Sequence, residues 1–119
     1  MTLRLIGLLA LGALIVGPAP GSTGGCGNAD EPAPFVSSCS EWRAWDCVRD
    51  RSRGDLADDD ELQACVDAEN QACMDIGDWP LDCQPFPTMR AVNNCVEQLQ
   101  RADMVNVPLE ELPECDFCP

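Results

Sequence analysis

An all-α, disulfide-stapled small domain is what this sequence predicts, and three observations carry the prediction. Nine cysteines and no histidine fall within 119 residues. Cysteine this dense behind an export leader reads as a disulfide framework. Apolar residues recur at three- and four-residue steps in three stretches, which marks one face of a helix each time, and no alternating apolar–polar run persists. The expected architecture is a helical hairpin, a third helix and a stapled C-terminal tail.

Residues 1–25 read as a signal peptide removed before folding. Arg4 supplies one positive charge, and Leu5 to Gly17 form an apolar run of 13 residues. A membrane-spanning helix needs roughly 20 residues, whereas a signal-peptide core has about 7–15. Pro18 and Pro20 stop the run, because proline lacks the backbone donor and clashes with the preceding turn.

The segment Thr23-Gly24-Gly25-Cys26 resembles a bacterial lipoprotein signal, in which a cysteine following small residues becomes the lipidated N-terminus. Gly24, Gly25 and Cys26 match that pattern, while Thr23 stands where leucine or a similar residue is usual. The stretch from Pro18 to Gly25 is also longer than such signals normally have. The resemblance implies lipid attachment at Cys26, and cysteine parity points the same way, since the remaining eight can pair completely. The alternative is cleavage after Gly21, giving a freely secreted chain whose odd cysteine needs an intermolecular partner or stays a reactive thiol. An uncleaved anchor fits the short apolar run less well.

Beyond the leader the chain is long enough for one small domain. There six arginines face 21 carboxylates, without lysine, tyrosine or histidine. Such a chain repels phosphate backbones, which argues against nucleic-acid partners. Anionic head groups would repel it too, so a membrane association must come from an anchor. Self-repulsion opposes compactness, and small domains bury little apolar area. Four disulfides answer both problems.

Residues 26–36 read as a disordered tether, with two prolines and two acids. The cysteine-rich helical domain is expected over 37–119. Its first helix should start at Ser38 in a capping box with Glu41, run through Trp42, Trp45, Cys47 and Val48, and end near Gly54. A second should begin around Asp58–Asp60, where acids suit the helix dipole. Leu62, Cys65, Val66, Ala72, Cys73 and Ile76 lie along it, and Gly77 stops it. Pro80, Pro85 and Pro87 make 78–87 a turn-rich connection. A third helix follows from about Thr88, with Met89, Val92, Cys95, Val96 and Leu99 as its apolar stripe. The tail carries one expected helical turn at Leu109–Leu112 and ends in Cys115-Asp116-Phe117-Cys118.

Seven residues separate Cys39 from Cys47, and seven separate Cys65 from Cys73. Eight helical positions rotate about 80° net and rise roughly 12 Å, so each pair lies near one face. In an antiparallel hairpin, residues at equal height have nearly constant index sums. Cys39 with Cys73 and Cys47 with Cys65 have equal sums, so both pairs can close as two rungs of a ladder. Residues 38–76 look like the twin-cysteine hairpins of the coiled-coil–helix–coiled-coil–helix class, in architecture only, with a spacing of seven rather than nine. Cys83, Cys95, Cys115 and Cys118 should staple the tail to the third helix and the loop before it. Cys95 with Cys115 and Cys83 with Cys118 is one option, and the swapped pairing is equally allowed.

Chemical motifs are weak. Cys115-x-x-Cys118 invites a thiol-redox reading, but it ends the chain between Glu114 and Asp116, which disfavour a thiolate. Zinc is disfavoured by the absence of histidine and of a second knuckle. Asp50 to Glu61 has the length of a helix–loop–helix calcium site, but Gly54 sits at the fifth position and Asp55 at the sixth, where the turn needs glycine. Trp42, Trp45 and Trp79 fit a scarce core better than a partner surface. No metal, cofactor or catalytic residue is expected: a triad lacks its histidine, and Ser37, Ser38, Ser40 and Ser52 sit in no nucleophile elbow.

The expectation is therefore a non-enzymatic, exported and lipid-anchored envelope protein, acting by binding an unidentified protein or by structural presence. A freely secreted cysteine-rich effector or inhibitor is the first alternative, and an envelope thiol-redox protein the second.

Overall fold

The computed structural model describes residues 28–118. Helices α1 (Phe35–Arg53), α2 (Asp59–Ile76) and α3 (Met89–Leu99) are followed by three short 3-10 turns, Ala102–Met104, Leu109–Glu111 and Pro113–Cys115. No strand occurs among the described residues, and one isolated antiparallel bridge joins Pro32 to Thr88. The domain is all-α and rich in disulfides. The leader and Cys26 lie outside the described residues.

Helix α1 begins three residues before Ser38. Pro34 occupies its N-cap with φ −65°, and Phe35 is buried from the first turn. Ser38 is itself buried, and its backbone N–H donates to the Pro34 carbonyl, so the expected Ser38–Glu41 capping box does not form. Burial of an aromatic ring outweighs a local cap worth about 1 kcal/mol. At the far end Gly54 takes φ 87°, a left-handed conformation open to glycine. Gly54 N–H donates to Arg51 O and Asp55 N–H to Asp50 O, the two bonds of a Schellman stop.

The acid-rich start of α2 is capped by two carboxylates. Asp58 Oδ1 accepts from Glu61 N–H at 2.9 Å, while Glu61 Oε2 accepts from Ala57 N–H at 2.6 Å. Gly77, at φ 80°, ends α2 by donating to Cys73 O. Thr88 caps α3, its Oγ1 accepting from Ala91 N–H at 3.2 Å.

The segment expected to be a disordered tether is part of the domain from residue 28 onward. Ala33 N–H donates to Pro87 O, Met89 N–H to Glu31 O, and Arg90 N–H to Ala29 O. Asp30 also pairs with Arg90. Its prolines make it extended rather than unstructured, and an extended backbone can pair with the equally extended 85–88 segment.

Disulfides Cys39–Cys73 and Cys47–Cys65 join α1 to α2, with Cα separations of 5.8 and 6.0 Å. Both rungs close because antiparallel helices of equal rise keep their levels matched. Cys95–Cys115 ties the third turn to α3, and Cys83–Cys118 ties the end of the chain to the connecting loop. The swapped pairing does not occur. Cys95 sits mid-way along the buried face of α3, directly under the turn ending at Cys115, and three more residues carry Cys118 to the loop.

Helix α1 is the central element, packing on α2 along one side and on α3 along another. Helix α3 buries Val92, Cys95, Val96 and Leu99, four members of its expected stripe. Helix α2 buries only Cys73, so the ladder holds it more than a core does. The core joins Phe35, Cys39 and Trp42 of α1 to Trp79, Val92, Leu99 and Leu112.

Candidate functional site

Helix α1, the loop after α2 and the tail converge on a cluster of four aromatic rings. Trp42 and Trp79 stack with centroids 5.8 Å apart and planes 19° from parallel. Phe35 meets Trp79 edge-on at 5.1 Å, and Phe117 tilts against Trp42 at 4.9 Å. Trp79 Nε1–H donates to the Ala33 carbonyl at 2.8 Å, so the indole is anchored at its polar end. Both tryptophans belong to the core, as the sequence implies, while Trp45 packs against it partly buried.

These rings also floor an open groove of about 330 Å³. Its walls are the Cys39 side of the ladder, Pro80 and the Cys115–Cys118 end of the tail, with Ile76 at the mouth. Ile76 and Met74 are more than half exposed, and Leu81, next to Pro80, is 91% exposed. Phe35 and Phe117 are the wall residues that the sequence did not single out. Phe117 lies between two cysteines that each bridge elsewhere, which is the one local hint that the tail would press it inward.

The cysteines of Cys115-x-x-Cys118 are not bonded to each other. Each is held by a different partner, and those partners, Cys95 and Cys83, are fully buried. The motif is thus split between two structural bridges.

Across the described residues acid exceeds base, and the arginines are already paired. Arg43 lies 2.5 Å from Glu69, Arg49 2.9 Å from Asp46, and Arg51 3.7 Å from Asp59. Arg53 pairs with Asp50 and Asp55, Arg90 with Asp30, and Arg101 with Asp103. Every arginine among the described residues is therefore matched to a carboxylate. Asp75, Asp78, Asp82, Glu110, Glu111, Glu114 and Asp116 have no such partner among them. Asp116 lines the groove, while Asp75 and Asp78 adjoin the lining residues Ile76 and Trp79 in sequence.

Arg49 is a second feature that the sequence did not reveal. It is 2% exposed, donates to the carbonyls of Met104 (2.8 Å) and Val107, and pairs with Asp46. Its position seven residues after Trp42, on the apolar face of α1, was the available signal. Burial pushes the Asp46 carboxyl above its ordinary range, and the Asp50 charge adds to this against the pull of Arg49 and Arg53.

The Asp50–Glu61 loop is spent on structure. Asp50 pairs with Arg53, Asp58 caps α2, and Glu61 bonds back to Ala57. Among the described residues no group of three or more acid, cysteine or histidine side chains is placed to hold a metal ion, and no helix is long and apolar enough to cross a membrane. No family model, curated protein or solved structure matches the chain. Four disulfides in so small a domain mark an oxidising, extracytoplasmic setting.

Proposed function

We propose that the protein is an exported, lipid-anchored module of the cell envelope that works by binding rather than by catalysis. One observation carries the anchoring: the eight cysteines after Cys26 are consumed in four bridges with one another. Cys26 is thus the odd thiol of the chain, and it follows Gly24-Gly25 at the end of an apolar leader. Acylation uses that thiol and holds the domain at a membrane whose anionic surface would otherwise repel it.

The binding role draws support from the groove. The C-x-x-C pair is divided between two bridges, which speaks against a thiol-redox role.

Mass spectrometry of the mature N-terminus tests the anchor. A diacylated or triacylated Cys26 is the expected result. An N-terminal Ser22, with Cys26 joining two chains, would replace it with the secreted alternative.

A further inference from the structure

We propose that the aromatic groove receives an apolar side chain from a lysine- or arginine-bearing segment of a partner protein. The inference rests on the binding-module reading and adds the site and the chemistry of its occupant.

The groove supplies the apolar half of this recognition. Phe35, Trp42, Trp79 and Phe117 floor it, and Ile76 and Pro80 edge it. At about 330 Å³ it is at the small end of ligand clefts, a size for one or two side chains rather than a folded surface. Ile76 is 55% exposed although it is a large aliphatic residue lining the same groove, and its burial favours an apolar occupant.

Charge selects the occupant. Asp116 lines the groove, and Asp75 and Asp78 flank its mouth residues in sequence, all without an arginine partner among the described residues. Arg43, the one cation of the lining among the described residues, is already paired with Glu69. A cationic segment meets the Asp116 carboxylate of the lining and the excess of acid over arginine in the chain as a whole. A second copy of this chain brings the same excess of acid, with a net charge of −14, and is repelled. An anionic lipid surface is repelled for the same reason.

Titrating the oxidised full-length protein with short peptides, followed by tryptophan emission, tests the proposal. The probe is the capped peptide Lys-Phe-Lys-Leu-Lys, and the controls are penta-lysine and a version with glutamine replacing each lysine. The probe should bind at least about tenfold more tightly than penta-lysine, the gain expected from burying one aromatic side chain, and more tightly than the glutamine version through its charge. Binding should weaken as salt rises. Ile76→Arg and Asp116→Lys, both at exposed positions, should each weaken the probe at least about fivefold while near-ultraviolet circular dichroism stays unchanged. Penta-lysine binding as tightly as the probe would reduce the site to bulk charge and overturn the groove. So would Ile76→Arg binding like the parent, or a probe that does not bind at millimolar concentration. These outcomes are independent of Cys26: an acylated protein that ignores the probe refutes the groove and leaves the anchor standing.

Discussion

The guanidinium of Arg49 donates to the carbonyl oxygen of Met104 at 2.8 Å, tying the central helix to a turn 55 residues further along. Val107 O accepts from the same nitrogen, and Asp46 closes the charge. This buried cation fastens the 104–107 segment, which lies within the Cys95–Cys115 loop, to α1.

Arg49→Met should therefore cost about 3–5 kcal/mol. It leaves the Met104 and Val107 carbonyls and the Asp46 carboxylate without their donor. Arg49→Lys should recover part of the loss, since an ammonium keeps the charge but not the fork. Urea unfolding of the oxidised protein measures both.

The indole of Trp79 does two things at once, stacking on Trp42 and bonding the Ala33 carbonyl. Trp79→Phe keeps an aromatic ring and strands that buried carbonyl, for an expected loss of about 1–3 kcal/mol. Trp79→Ala also opens a cavity, and about 3–5 kcal/mol should be lost. The difference between the two midpoints in denaturant separates ring from hydrogen bond.

Helix α2 buries Cys73 alone, so its helicity depends on the ladder. Replacing Cys47 and Cys65 together by serine should cost about 3 kcal/mol, by the loop-entropy estimate for a separation of 18. Replacing all four ladder cysteines should leave α2 amides exchanging freely while α3 amides stay protected by the buried α3 stripe and the Cys95–Cys115 bridge. Hydrogen exchange resolved by segment reads this difference.

Asp46 carries a pH signature. Its folded carboxyl is raised above the ordinary value of 3.8, so the folded state holds the proton more tightly than the unfolded chain. Its contribution to stability is present below the unfolded value and is lost as pH rises through the raised one. Asp46→Asn removes that loss while retaining an oxygen acceptor for Arg49. The stability of the variant relative to the parent should therefore climb from about pH 4 upward. Denaturant midpoints across pH 3.5–6 give the slope.

The parts of the fold that local periodicity controls were legible in the sequence. The Val92–Leu99 stripe, the stops at Gly54 and Gly77, and the equal index sums of the ladder cysteines all follow from helical rise and rotation. Contacts between distant segments were not. The Pro-rich run before Phe35 has the composition of a tether, and nothing local announces that Pro87 O will meet Ala33 N–H. Ser38 and Glu41 spell a capping box, yet Phe35 pulls the helix start back into the core. The groove was half visible, as tryptophans. Its remaining walls depend on which tail cysteine reaches Cys83, a choice that spacing alone left open.

Both the stability of α2 and the shape of the groove follow from which sulfurs are joined. Peptide mapping of the unreduced protein by mass spectrometry is the most direct measurement of this. Linked peptides should contain Cys39 with Cys73, Cys47 with Cys65, Cys83 with Cys118, and Cys95 with Cys115. A Cys39–Cys47 or Cys115–Cys118 crosslink, or free thiols at those positions, would contradict the architecture.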